Sequence, residues 1–134
     1  MSESSESSEV IRARQYYHQG LQFAQRGAWS EALDALSRAV KTAPDHVDAR
    51  LHLGDVYLKR GRPEDGLRVL EQGLARPGGD KTQRAQLLGN AASCAASMSR
   101  YDVAHTYLQD ALELEPMNPG LLDKAAAVCC KGGE

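Results

Sequence analysis

A pattern that returns at an interval of a few tens of residues admits few folds, because each unit must bury its apolar face against its neighbours. Here the run Trp29-Ser30-Glu31-Ala32-Leu33, followed by Leu36, Ala39 and Pro44, returns thirty-four residues later as Pro63-Glu64-Asp65-Gly66-Leu67 with Leu70, Gly73 and, one place early, Pro77. It returns again after a further thirty-eight residues as Tyr101-Asp102-Val103-Ala104-His105 with Leu108, Ala111 and Pro116. The preceding segments shift in step: Tyr16, Gly20 and Phe23 match Arg50, Gly54 and Tyr57, then Leu88, Ala92 and Ala95. The four extra residues fall at Pro77-Gly78-Gly79-Asp80, where a turn absorbs them at small entropic cost.

Inside each unit the spacing is helical. From Val10 onward Tyr16, Gly20, Phe23 and Ala24 share a stripe until Gly27 and Trp29 interrupt it, which predicts a first helix ending near Arg26. Ser30 is then expected to cap a second helix whose stripe is Ala32, Leu33, Leu36, Ala39 and Val40, stopped by Pro44. No segment alternates with period two between turns, so a sheet has no raw material. Antiparallel helices approach closely only where one presents Gly or Ala, which predicts Gly20 against Ala32 and Gly54 against Gly66. Phe23, Tyr57, Leu36 and Leu70 are expected to fill the space between pairs. Asn118 and Pro119 form a helix start, and Leu121, Leu122, Ala125, Ala126 and Val128 give the stripe of a closing helix. The third pair carries Ala91, Ala92, Ala95 and Ala96 in place of larger groups and is expected to be the loosest.

These positions resemble the tetratricopeptide repeat: a bulky residue, Leu-Gly, a Tyr, then Ala, an aromatic and a closing Pro. The resemblance covers about residues 13–118. Gly20, Phe23, Ala32, Ala39 and Pro44 carry it in the first repeat, Leu53-Gly54, Tyr57 and Leu70 in the second, and Ala104, Leu108, Ala111 and Pro116 in the third. The departures are Gln19 for the usual Leu, Gly66 and Gly73 for the small Ala positions, and Ala92 and Ala95 for Gly and Tyr. The resemblance implies an all-α fold, a right-handed superhelical stack of three antiparallel helix pairs plus a C-terminal capping helix. The expected repeats lie at about 13–46, 47–80 and 85–118, with the cap at about 119–131. Residues 10–131 then form one domain behind a disordered tail at 1–9, whose Ser2 to Glu9 stretch contains only Ser and Glu.

Composition narrows the function classes. With 16 basic and 18 acidic residues and a net charge of −2 there is no broad positive field to neutralise a phosphate backbone, so nucleic acid is not expected as a ligand. Short apolar stretches and the lack of a basic opening before a hydrophobic run predict neither a signal peptide nor membrane insertion, and hence a cytoplasmic location. Cys94, Cys129 and Cys130 make an odd count and read as reduced thiols.

Helix pairs that turn slightly from one to the next line a concave surface with their first helices, and that surface is the default site for a protein or peptide ligand. Its expected side chains are Arg14, Tyr17, His18, Leu21 and Gln25 on the first of these helices. Asp48, Leu51, His52, Asp55 and Lys59 follow on the second, then Gln86, Asn90, Ser93 and Ser97 on the third. Members of the family that grip a peptide's terminal carboxylate use Lys, Arg and Asn at set places. The matching residues here are Tyr17, Leu21, His52, Gln86 and Asn90, which retains only the Asn and disfavours carboxylate-terminated chaperone tails.

His18 and His52 lie one repeat apart, but helix axes roughly 8–10 Å apart do not bring two imidazoles to the 2.0–2.1 Å or so that zinc requires. A pH-sensitive contact with an acidic partner is the more plausible use of the pair. Adjacent Cys129 and Cys130 point about 100° apart on a helix and read as small apolar filler, not as a metal or redox motif. No catalytic triad order, phosphate loop or helical His-Glu-x-x-His motif occurs, and no cofactor is expected. The sequence therefore reads as a non-enzymatic adaptor holding a peptide or helix of a partner. Self-association as an element of a larger assembly stays open, and so does a metal-dependent regulator or enzyme using the His and Cys residues.

Overall fold

A computed structural model describes residues 7–76 and 78–132. Residues 1–6 of the expected tail and Pro77, the expected stop of the second pair, lie outside the described residues. Among the described residues the chain forms helices only: α1 (Ser8–Gln25), α2 (Trp29–Thr42), α3 (Val47–Lys59), α4 (Pro63–Ala75), α5 (Lys81–Ser97), α6 (Tyr101–Leu114) and α7 (Pro119–Gly132).

Local chemistry explains most of these starts and stops. Ser7 accepts from the Val10 amide at 3.2 Å, so α1 begins inside the Ser/Glu stretch, two residues earlier than expected. Asp80 and Gln83 form a reciprocal capping box at the head of α5, and Pro63 opens α4. Asn118 Oδ1 accepts from the Gly120 and Leu121 amides at 2.9 and 3.2 Å, as its position ahead of α7 predicts. Ser30 does not cap α2. The N-cap is Ala28, without a side-chain bond, and Ser30 is already helical.

Each pair closes through the same turn. Gly27, Gly61 and Ser99 sit at φ +76°, +77° and +60°, and the amides of Ala28, Arg62 and Arg100 donate to the carbonyls of Phe23, Tyr57 and Ala95 at 2.9, 2.8 and 2.9 Å. This double closure of the last helical turn needs one left-handed residue, which explains the glycines and leaves Ser99 as the strained exception.

Every helix packs on its neighbours in the chain, and α1 meets α3, α3 meets α5 and α5 meets α7, so the odd-numbered helices form one continuous row. The core follows the stack. One cluster joins Ala32 and Leu36 to Leu53 and Val56, the next joins Leu51, Leu67 and Leu70 to Leu87 and Ala91, and the last joins Leu88 and Leu108 to Leu121 and Val128. Each cluster spans neighbouring units, as expected of hairpins that cannot bury a face alone.

Glycines set the closest approaches. A Cβ at Gly66 would lie 2.9 Å from the Gly54 carbonyl oxygen, so those two positions do meet. Gly20 receives Leu36, with a Cβ there 2.6 Å from Leu36 Cγ, and Gly54 receives Leu70 in the same way.

Several expectations are corrected by burial. The small residues of the third pair draw its neighbours in: α5 buries Ala85, Leu87, Leu88, Gly89, Ala91, Ala92, Cys94 and Ala95, whereas α1 buries only Ala13 and Gly20. On α7 the inward face is Leu121, Ala125 and Val128, while Leu122 and Ala126 are exposed. Cys129 and Cys130 are exposed too and fill nothing.

Candidate functional site

The row of odd-numbered helices carries an open depression of about 400 Å³. Tyr17 reaches it from α1, Asp48, Leu51, His52 and Asp55 from α3, and Gln86 and Asn90 from α5. Residues seventeen, forty-eight to fifty-five and eighty-six to ninety come together because the three helices lie side by side, one repeat apart.

The first end of the depression is aromatic. The Tyr17 ring lies 4.9 Å from the His46 ring, 5.4 Å from His18 and 5.5 Å from His52, centroid to centroid. His52 Nδ1–H donates to the Asp48 carbonyl at 2.9 Å, which fixes its tautomer, and Tyr17 Oη lies 3.5 Å from the same nitrogen. Burial, with the Asp48 charge second, pushes the Tyr17 hydroxyl above its ordinary range. The Asp48 carboxylate accepts from the Gln83 amide at 3.4 Å.

The opposite end is polar and receives a group from the capping helix. Lys124 Nζ donates to Asn90 Oδ1 at 3.3 Å. Burial lowers the Lys124 pKa, and the attraction of Asp55 opposes that shift. Nearby, burial pushes the Cys94 thiol up to about 11, so it stays protonated and unreactive at neutral pH.

Seven of the expected side chains do not line the depression, among them Gln25 on α1 and Ser97 on α5, both exposed. Arg14 and His18 are exposed on α1 beside it, and Leu21 is half-buried further along. Lys59 turns away to pair with Asp55 at 3.2 Å and to cover the Trp29 ring at 5.6 Å. Ser93 donates back to the Gly89 carbonyl at 3.3 Å. Leu51 does line the depression, but as its floor: it is 6% exposed and packs with Leu67, Leu70 and Leu87. Among the described residues no three His, Cys, Asp or Glu groups are placed to hold a metal ion, and no helix is long and apolar enough to cross a membrane.

Two residues at the site were not expected from sequence. His46 sits in the inter-repeat turn, where only its place just before a helix could have flagged it. There its Nδ1 accepts from the Ala49 amide at 3.1 Å, so it caps α3 while standing against Tyr17. Lys124 belongs to the closing helix, whose stripe gave no sign of reaching the groove.

The cap has a pH consequence. Burial lowers the His46 pKa, with Asp48 opposing, so the folded chain holds this imidazole neutral below the pH at which the unfolded chain protonates it. Its contribution to stability is therefore present above about pH 6.5 and is lost as pH falls below that value. His46→Asn keeps a capping oxygen and removes the titration. Between about pH 7.5 and about pH 5.5 the melting temperature of His46→Asn will fall less than that of the wild type, as read by circular dichroism.

Comparison with known proteins decides the family. Residues 23–91, just over half of the chain, match the tetratricopeptide repeat profile. The chain belongs to the tetratricopeptide repeat family. This is a family of protein-interaction domains, and no curated protein matches the chain. Solved tetratricopeptide repeat structures superpose on nearly its whole length. The first repeat domain of Spaghetti (RPAP3), bound to the HSP90 peptide SRMEEVD, is 12% identical with a TM-score of 0.82, covering 93% of this chain and 96% of that one. The second such domain of human RPAP3, in complex with the HSP70 peptide SGPTIEEVD, is 15% identical with a TM-score of 0.81, covering 90% and 98%. MamA is 23% identical with a TM-score of 0.78, covering 96% of this chain and 67% of MamA. At these identities the likeness is one of fold.

Proposed function

We propose that this tetratricopeptide repeat domain is a cytoplasmic adaptor that holds a peptide or short helix of a partner protein in the depression along α1, α3 and α5. The observation that carries the reading is the composition of that depression. Tyr17, His52, Gln86 and Asn90 offer an aromatic face and hydrogen-bonding groups that the core does not consume, over a floor closed by buried Leu51. Solved relatives by fold hold chaperone peptides, which supports a peptide as the class of ligand.

The test uses a random peptide library displayed against the immobilised domain, with dissociation constants of the selected peptides measured by calorimetry. Gln86→Trp places an indole in the depression from an exposed position and leaves the core alone. Selected peptides are expected to bind Gln86→Trp about tenfold more weakly or worse, with an unchanged melting temperature. Equal binding to both proteins overturns the reading. Sedimentation of the same samples at several concentrations identifies self-association, the competing use of the surface.

A further inference from the structure

We infer that the groove selects a basic segment, with a Lys or Arg side chain of the partner seated between the Asp48 carboxylate and the Tyr17 ring. This rests on the docking reading above and adds the charge of the occupant.

Among the described residues lining the depression, Asp48 and Asp55 are carboxylates and none is Lys or Arg. The two acids differ in their ion pairs among the described residues, although the Arg14 charge also reaches the near end, where it acts on His46. Asp55 is paired with Lys59 at 3.2 Å, and the half-buried ammonium of Lys124, held at 3.3 Å from Asn90, is attracted to it as well. The closing helix thus already places one ammonium of this chain in the far end of the groove. The near end is built from the same chemistry: Asp48 is half-buried and engages a neutral amide, the Gln83 side chain at 3.4 Å. Beside it the Tyr17 ring and the His46 and His52 rings form an aromatic corner. An aromatic face next to a carboxylate is the arrangement that attracts an ammonium or guanidinium, and partial desolvation strengthens both attractions.

Charge at the near end also disfavours the opposite occupant. The peptides printed with the solved relatives, SRMEEVD and SGPTIEEVD, carry acidic ends. An acidic segment laid on the near end would set its carboxylates against Asp48, where like charges oppose binding. The pH-sensitive contact with an acidic partner expected from His18 and His52 loses its basis for the same reason, since His52 shares the depression with both acids and His18 lies outside its lining.

The experiment measures three synthetic peptide sets built on one neutral Ala/Gln/Leu frame, carrying Arg and Lys, Glu and Asp, or neither. Fluorescence anisotropy is read with the wild type, Asp48→Asn, Asp48→Lys and Gln86→Trp, at low and high salt. Asp48→Asn keeps an acceptor for the Gln83 amide, so its fold is maintained, and the melting temperature of each variant is recorded alongside. The basic set is expected to bind the wild type best, to lose about tenfold or more on Asp48→Asn, and to weaken with salt. Asp48→Lys will shift the preference toward the acidic set. If binding is lost in Gln86→Trp but the basic set holds no advantage, or Asp48→Asn changes nothing, the charge inference is overturned and the docking reading stands. Binding indifferent to Gln86→Trp overturns the docking reading itself. No binding of any set at about 1 mM overturns both.

Discussion

Gly66→Leu will cost the domain about 3 kcal/mol, the upper part of the range of about 1–3 kcal/mol for overpacking a filled core. The first carbon of the new side chain alone would lie 2.9 Å from the Gly54 carbonyl oxygen, 3.1 Å from Cys94 Sγ and 3.3 Å from Tyr57 Cβ. Of those three atoms only Cys94 Sγ ends a side chain, and it is itself buried in the core. Backbone on one side and Cβ on another cannot swing aside, so α4 itself must move off α3 and α5, and the cluster of Leu51, Leu67, Leu70 and Leu87 opens with it. Thermal denaturation followed by circular dichroism will show a melting temperature lowered by roughly 10 °C, given about 2–4 °C per kcal/mol for a chain somewhat larger than this and 4–8 °C for a smaller one. A melting temperature within error of the wild type would mean that α3 and α4 are not packed in this way.

Leu70→Ala is expected to be comparably damaging, at about 2–5 kcal/mol, because it combines lost burial with a cavity that the helices close only in part. Leu70 is 0% exposed and sits in the notch left by Gly54, where a Cβ would come within 2.8 Å of its Cγ. The two positions are therefore coupled. Gly54→Ala alone destabilises by collision with Leu70, but in the Leu70→Ala background the collision is gone and the helix preference for Ala over Gly, about 1 kcal/mol, remains. Gly54→Ala should then be neutral or stabilising, and urea denaturation of the four proteins measures the difference. Leu122→Ala is the matched control: at 44% exposure it should change stability by less than about 0.5 kcal/mol. Additive effects of Gly54→Ala and Leu70→Ala would refute the notch.

Much of the architecture is legible from spacing. Matching small residues at Gly20, Gly54 and Ala92, with Leu36, Leu70 and Leu108 following in the partner helices, place every pair correctly, and the turn glycine Gly27 marks where α1 ends. Asn118 announces α7 because an Asx side chain ahead of a helix has a local task that needs no tertiary partner. The odd-helix row that holds the depression follows from the same repeat, and Tyr17, Asp48, His52, Asp55, Gln86 and Asn90 line it as their positions predict.

The exceptions share a cause. Arg50 occupies the bulky position matched by Tyr16 and Leu88, yet it is 4% exposed with its Nε donating to the Pro44 carbonyl at 2.9 Å and Nη1 to the Val69 carbonyl at 3.1 Å. Gly73, a departure from the usual Ala, makes that possible, since a Cβ there would lie 2.9 Å from Arg50 Cδ. Carbonyls at distant sequence positions decide whether a buried guanidinium is satisfied, and no local pattern names them. Leu51 changed roles in the same manner, from groove wall to core floor, and Lys124, to which no role was assigned, reaches the groove.

Periodicity states the direction in which a side chain leaves its own helix, and direction is enough to determine helix pairs, their turns, their order in the stack and the face that stays open. It contains no distance to the next helix. How deep Leu51 sinks, where Lys59 folds back and how far Lys124 extends were settled only when three and four helices converged, because burial and charge pairing are set by what arrives from the other side.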